Sequence, residues 1–347
     1  MNLLRELCET PGIPGFEDRL RPIVRRELEP IVDDIQVDAM GNLIAVKKKA
    51  GAPKLMIAAH MDEIGFIVSY IDEQRGWLRL VGLGSHDPRN MQAQRVTVST
   101  PDGDLNGVLY PGIKPPHLQT AEDKKNVLKI SDFIVDLGMP AQRVMEQVPI
   151  GSFVTMQREF TEIGDCVSCK ALDDRAALYI MIEAMKQAQS WGFEVYAVAT
   201  VQEEIGLRGA MTSAYGVAPD VGIAIDATVA ADIPSVPQHE WVTQVGEGVA
   251  IKIMDQSVIC DSRLVIGLRS LADARGIQWQ NEILPRGGTD AGTMHRVRSG
   301  VPCAAISIPT RYIHTSIEMV SKSDIMANVA LMTAFIEEGD QIDLTRA

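Results

Sequence analysis

Five places in the sequence collect side chains able to hold a cation or move a proton. His60, Asp62 and Glu63 stand in AAHMDEIG, directly after the apolar run KLMIAA. A histidine just beyond a buried strand can offer one ring nitrogen to a metal, and an aspartate two residues on can fix the ring through the other. A satisfied core histidine or a turn aspartate fits the same letters. Asp173 and Asp174, in KALDDRAAL, open a helical pattern. The free N–H groups there favour carboxylates as caps, and a carboxylate placed there can also bridge two cations. Glu203 and Glu204 follow the run VYAVATVQ. Adjacent like charges at the exit of a buried strand are costly unless a cation or proton relieves them, so one glutamate can bind metal while its neighbour takes a proton from water. Asp226 closes DVGIAIDAT, and His314 follows CAAISIPT by a few residues.

His60, Glu204, Asp226 and His314 all follow strand-like segments, the edge where open parallel sheets place their sites. A mixture of imidazole and carboxylate suits zinc, cobalt or manganese, whereas a soft-metal or iron–sulfur site asks for thiolates. Phosphate-binding glycine loops and the GxSxG serine elbow are missing; GGTD at 287–290 fits neither a P-loop nor a dinucleotide fingerprint. His86, His117, His239 and His295 are expected at the surface or in structural roles.

The elements that must position these groups alternate. NLLREL reads as a short helix, and a second runs from Phe16 to about Leu28 with Leu20, Val24 and Leu28 as its stripe. IQVDAMGNLIAV reads as a hairpin turning near Gly41, and KLMIAAH as a buried strand. From about Ile67 to Phe160 short alternating runs (WLRLVG, QRVTV, LNGVLY, DFIVDLG) indicate a small β-rich insertion. Within it, IKPPHLQTAEDKKN is expected as a loop, with its order undecided. Helix and strand then return: a helix through LDDRAALYIMIEAMKQAQS with Leu178, Met181, Met185 and Ala188 as its apolar face, the strands FEVYAVATVQ and DVGIAIDAT, a helix with Leu264, Leu268 and Leu271, and the strand CAAISIPT. The last helix starts after Ser321, where Asp324 three residues on suggests a capping box. The fold is therefore read as α/β, with domains at 1–66 plus 161–347 and at 67–160.

Composition narrows the function classes. The 347 residues include 33 Lys plus Arg against 46 Asp plus Glu, a formal charge of −13, which opposes wrapping a phosphate backbone. The opening MNLLRELCETPGIPG breaks its apolar run with Arg5 and Glu6, so no signal-peptide core is expected. No run approaches the roughly 18 apolar residues of a membrane span. Cytoplasmic localisation, without nucleic acid or membrane partners, is the expectation. Five cysteines form an odd set; Cys166 and Cys169 make a single CxxC without the second pair of a zinc ribbon, leaving a redox role or two inert thiols.

The ordered set HMDEIGF, KALDDR, VQEEIGLRGA, AIDAT, RGGTDAGTM and PTRYIHT resembles the M42 metallo-aminopeptidases, the tetrahedral aminopeptidase family, over nearly the whole chain. The resemblance implies a three-layer α/β metallo-aminopeptidase domain with an inserted β-barrel-like, PDZ-related dimerisation domain. It implies that His60 and Asp226 complete one metal site, that Asp173 bridges to a second completed by Glu204 and His314, and that two zinc, cobalt or manganese ions are held. Glu203 would be the catalytic base, Asp62 would orient His60, and the peptide bond after Asp173 would be cis. Peptides with free amino termini are the implied substrates, with an undetermined side-chain preference, and a homododecamer with an internal chamber is the implied assembly. His314-Thr315-Ser316-Ile317-Glu318-Met319 departs from the family, which often has Pro after HT and Ser before the glutamate; this bears on the pocket's shape, not on the ligands. Some relatives carry the label endoglucanase. A glycosidase would leave the two histidines unexplained, while a deacylase or carboxypeptidase is a closer rival because the same water chemistry serves. In a scaffold that merely binds cations, a spare base beside Glu204 would have no use.

Overall fold

A computed structural model describes residues 1–345. It comprises an α/β domain built on an eleven-stranded mixed sheet, with a closed six-stranded barrel inserted into it. The centre of the sheet is four parallel strands in the order Glu194–Thr200, Lys54–His60, Val221–Val229 and Cys303–Arg311. Every residue of VGIAIDAT and of CAAISIPT is buried, as strands covered by helices on both faces require. Leu172–Gln187 packs on Lys54–His60 and Val221–Val229 and against Lys322–Glu338, while Arg208–Val217 and Ala291–Met294 pack together over the same sheet. The hairpin Asp34–Val37 with Leu43–Lys47 extends one flank, and the antiparallel strands Glu318–Ser321, Cys166–Cys169 and Thr161–Ile163 extend the other. Val249–Met254 and Trp279–Ile283 branch from the far edge of Cys303–Arg311.

The barrel closes in the order Gly65–Ile71, Leu78–Leu83, Phe133–Asp136, Gly103–Pro111, Gln94–Thr100 and Phe153–Met156. Alternation gives it a core of its own, with Phe66, Val68, Leu78, Leu80, Val96, Val98, Phe133 and Val135 inside and Tyr70, Val81, Val108 and Tyr110 outside. The chain enters it at Gly65, five residues after His60, so the barrel hangs directly from the end of a central strand. The segment around Pro115 forms two single 3₁₀ turns, Pro116–Leu118 and Asp123–Lys125, the second tied by Thr120 N–H and hydroxyl donating to Asp123.

Three local expectations need correction. The second helix is shorter than expected: Glu17–Arg19 is a 3₁₀ turn and the α-helix is Arg21–Leu28, beginning where Pro22 fits because a first-turn residue needs no N–H partner. Leu172–Gln187 is not a one-faced helix, since every residue from Leu172 to Ile182 is buried between sheet and neighbouring helices. Ser321 caps the last helix by accepting from Ser323 N–H, but Asp324 does not reach back. Its carboxylate accepts instead from Gly246 and Gly248 N–H at 2.7 and 2.8 Å, a tertiary demand that outranks the local motif. Cys166 is half-buried and Cys169 buried, both as free thiols. Among the described residues no helix is long and apolar enough to cross a membrane.

Candidate metal centre

The sheet brings the five polar places to one end. His60 is the last residue of its strand, and Glu203 and Glu204 lie in the turn after Thr200. Asp226 sits inside Val221–Val229 rather than at its end, aligned with Ser307. His314 occupies a left-handed turn beyond Cys303–Arg311, with φ of 60°. Asp173 and Asp174 stand in the first turn of Leu172–Gln187, joined by a cis peptide bond and without helical torsions.

Asp173 lies at the middle of the arrangement. One of its oxygens is 3.3 Å from His60 Nε2 and the other 3.1 Å from His314 Nε2. His314 Nε2 is also 3.5 Å from Glu204 Oε1, and His60 Nε2 is 3.9 Å from Glu203 Oε2. Two ligand-sized groups result, His60–Asp173–Asp174–Asp226 and Asp173–Glu204–His314, each with its ligating atoms within 4.8 Å of one another and Asp173 common to both. A binuclear metal-binding cluster with one shared carboxylate is the consequence.

The donor set fits divalent cations. His60 Nδ1 lies 2.9 Å from the Asp62 carbonyl oxygen, which can only accept, so Nδ1 carries the hydrogen and Nε2 presents a lone pair to the carboxylates. Lone pair against carboxylate at these distances is repulsive unless a cation or proton lies between. Glu204 Oε1 is buried and makes no hydrogen bond with the described residues, the orphaned acceptor expected of a ligand. Asp62 touches His60 mainly through its carbonyl; the carboxylate is 3.6 Å from Nδ1 and accepts from Glu203 and Glu204 N–H at 3.0 Å each. It therefore sets the turn that carries both glutamates.

Without a cation, protons must neutralise this cluster. Burial pushes Glu203 and Asp226 well above the carboxylate range, opposed by His60 and reinforced by neighbouring carboxylates. Burial also raises Glu204, to about 7. His314 rises to about 10 because Glu204 and Asp173 outweigh its desolvation. Asp173 shows the reverse balance: the two imidazoles overcome its burial and hold it below the usual range.

Glu318 is a site residue that sequence reasoning did not single out. Fully buried, it accepts from Asp173 N–H at 3.0 Å and His314 N–H at 2.8 Å, tying the shared carboxylate to the histidine turn. Its only sequence signal is its position four residues after His314. Asp290 of the GGTD turn accepts from the Thr200 hydroxyl at 2.5 Å. Glu63 stands outside both groups and pairs with Lys170 at 2.8 Å, which makes it structural. His295 bonds Ala291 O and His239 is exposed, but His86 lines a cavity at the centre.

Two cavities meet there. One of about 410 Å³ is lined by Glu203, Asp226, Leu207, Leu284, Arg286 and Ile313. The other has only about 20 Å³ of free volume and is walled by Ile64, His86, Met91, Met156 and Ser316. Asp173, Glu204 and His314 border both.

The family model described as M42 glutamyl aminopeptidase matches residues 41–331. A putative aminopeptidase of Acetivibrio thermocellus is 39% identical over 336 residues, covering 96% of this chain and 98% of the relative. The structure of aminopeptidase APDkam598 from Desulfurococcus kamchatkensis superposes with a TM-score of 0.92 at 37% identity, over 97% of this chain and 94% of the other. The Pyrococcus horikoshii TET1 peptidase, described as assembling into a tetrahedron or a large octahedral shell, gives 0.85 at 32% identity over 97% and 99% of the two chains.

Proposed function

Because the chain belongs to the M42 peptidase family and is a divalent-metal-dependent aminopeptidase, we propose that it removes residues one at a time from free peptide amino termini at the Asp173 centre. The observation that carries this reading is the single carboxylate of Asp173 directed at two histidines, each with its own further acidic partner.

In this reading His60, Asp173 and Asp226 hold one cation, and Asp173, Glu204 and His314 the other. Zinc, cobalt and manganese all suit such nitrogen and oxygen donors. Divalent cations held by these residues would supply Lewis-acid chemistry, making a water more acidic and the scissile carbonyl more electrophilic. Glu203 is the general base: it accepts the water proton on its carboxylate and delivers that proton to the departing amine. Asp62 positions it through the backbone, and Glu318 positions Asp173 and His314. The surplus of carboxylates favours a protonated α-amino group beside the centre, which limits cleavage to the first residue.

The larger cavity is the place for the first side chain. Leu207, Leu284 and Ile313 suit an apolar stem, and Arg286, which makes no hydrogen bond or ion pair with the described residues, favours an acidic head over a basic one. The chain divides into domains at 1–66 plus 161–347 and at 67–160, the second a PDZ-related dimerisation domain. Support comes from the barrel's outer surface, where Tyr70, Arg79, Ile134 and Tyr110 align across four strands with both tyrosines exposed. Assembly into a homododecamer in the cytoplasm completes the reading, with peptides as partners rather than nucleic acid or membranes.

The test is release of the first residue from matched free and N-acetylated peptides, before and after chelation and with each metal restored. Release confined to free amino termini and dependent on metal supports the reading. Equal cleavage of acetylated peptides, or full activity after stripping, overturns it.

A further inference from the structure

The barrel reaches the metal centre through Leu83–His86, the segment that follows its strand Leu78–Leu83. A Cβ built on Gly84 would lie 3.1 Å from Glu204 Oε2, so barrel backbone stands directly against a candidate ligand. Ser85 lines the larger cavity and His86 the smaller. The segment thus stands between the two cavities, with Ser85 on the side proposed for the first side chain and His86 on the other.

The His86 ring is held in one orientation. It stacks on Phe66 at 4.2 Å and 23°, and Nε2 lies 2.9 Å from Gly65 O and 3.0 Å from Leu83 O. Both partners can only accept, so Nε2 carries the hydrogen and, in the neutral ring, Nδ1 keeps a lone pair. Burial favours that neutral form. The Cδ2–Nε2 edge faces Gly82, whose added Cβ would come within 3.0 Å of Cδ2, which turns the Nδ1 edge the other way. Nδ1 makes no hydrogen bond with the described residues. Three other polar groups of the same cavity are committed: Lys170 to Glu63, Ser316 to Gln94 and Arg158, and Glu318 to two backbone N–H groups.

We propose that His86 Nδ1 accepts a hydrogen bond from a backbone N–H of the leaving peptide, which makes the barrel part of the substrate-binding surface. This inference rests on the aminopeptidase reading. It also narrows the substrate: the peptide must offer an N–H at that point, so a proline supplying the engaged nitrogen loses the contact.

A double-mutant cycle tests it. Three tripeptides with a common first residue, one unmodified, one N-methylated at the first amide and one at the second, are assayed with metal-loaded wild type and His86→Phe. Phenylalanine keeps the stack and has no lone pair. Loss of one neutral hydrogen bond corresponds to about tenfold in kcat/KM. The expected result is that one of the two methylations costs the wild type about tenfold and adds nothing in the variant, which is already about tenfold down on the unmodified peptide. Methylation costs that are equal in the two proteins overturn the proposal. If His86→Phe lacks a folding transition, the same cycle runs on His86→Gln, whose amide can donate to Gly65 O or Leu83 O but places no ring nitrogen at Nδ1. Absence of turnover of the unmodified peptide by wild type with zinc, cobalt or manganese overturns the underlying aminopeptidase reading and the proposal with it.

Discussion

Glu282 and Asp255 are buried as deeply as Asp173, Asp174 and Asp226, yet the two groups are neutralised by different means. Lys252 stands between the first pair, in contact with Glu282 and 3.4 Å from Asp255, and the Thr228 hydroxyl donates to Glu282 at 2.7 Å. Glu63 is handled in the same way by Lys170 and, at 3.6 Å, by Arg175. At the Asp173 centre no lysine or arginine pairs with a carboxylate among the described residues: imidazoles are the cationic groups in contact with the acids, and Lys252 acts on Asp226 only from beyond ion-pair distance. A cluster with its own permanent cation is complete when the chain folds. One without it must draw protons or metal ions from solution, and that openness is what chemistry can use.

The comparison predicts opposite consequences for one substitution in each cluster. Glu203→Gln removes the base from the open cluster but no proposed ligand, so kcat should fall about 10²–10⁴-fold with both metals retained by elemental analysis. An unchanged kcat would remove Glu203 from the mechanism. Lys252→Met in the closed cluster should spare metal binding but cost about 3–5 kcal/mol of stability, because Glu282 and Asp255 lose their counter-ion while remaining buried. Urea unfolding of metal-loaded protein measures this, and the added change Glu282→Met should recover much of the loss. A Lys252→Met protein of wild-type stability would show that the two clusters do not differ as described.

The same contrast appears in pH. Glu203 and Asp226 lie well above the carboxylate range, Glu204 near 7 and His314 near 10. The metal-free centre therefore carries protons at neutral pH, and incoming cations must displace them. Affinity should rise with pH and fall as acid returns those protons. Calorimetry in two buffers of different ionisation enthalpy should detect at least one proton released per centre filled, and none would contradict the assigned ligands.

The sequence makes the open cluster far more legible than the closed one. Apolar runs ending abruptly in His60, Glu203 and Glu204 announce where strands leave the core, and the acidic pair Asp173–Asp174 opens a helix; these signals are local. Lys252 and Glu282 belong to neighbouring parallel strands joined through the helix Ser262–Arg275, and nothing in IKIMDQ or QNEIL gives their register. Glu318 was hidden for a similar reason, since its partners are backbone N–H groups that any residue could supply. Asp324 shows the converse: a sound local motif yielded to Gly246 and Gly248 from a loop far away in sequence.

Arg286 gives the smallest predicted effect and bears on the boundary between the two kinds of cluster. The carboxylates around Asp173 would by themselves draw a basic side chain into the larger cavity, and Arg286 is a cation of the chain lining that cavity without an ionic partner among the described residues. It is exposed, so screening limits its contribution to about fivefold. Arg286→Glu should lower kcat/KM for glutamyl substrates and raise it for lysyl substrates by factors of that order. Leucyl substrates, whose side chain would meet Leu207, Leu284 and Ile313, should be almost unaffected. A uniform fall across all three would mean that Arg286 supports the GGTD turn rather than reading the side chain. The excess negative charge of the open cluster would then act on the first residue unopposed, and basic side chains, not acidic ones, would be the preferred substrates.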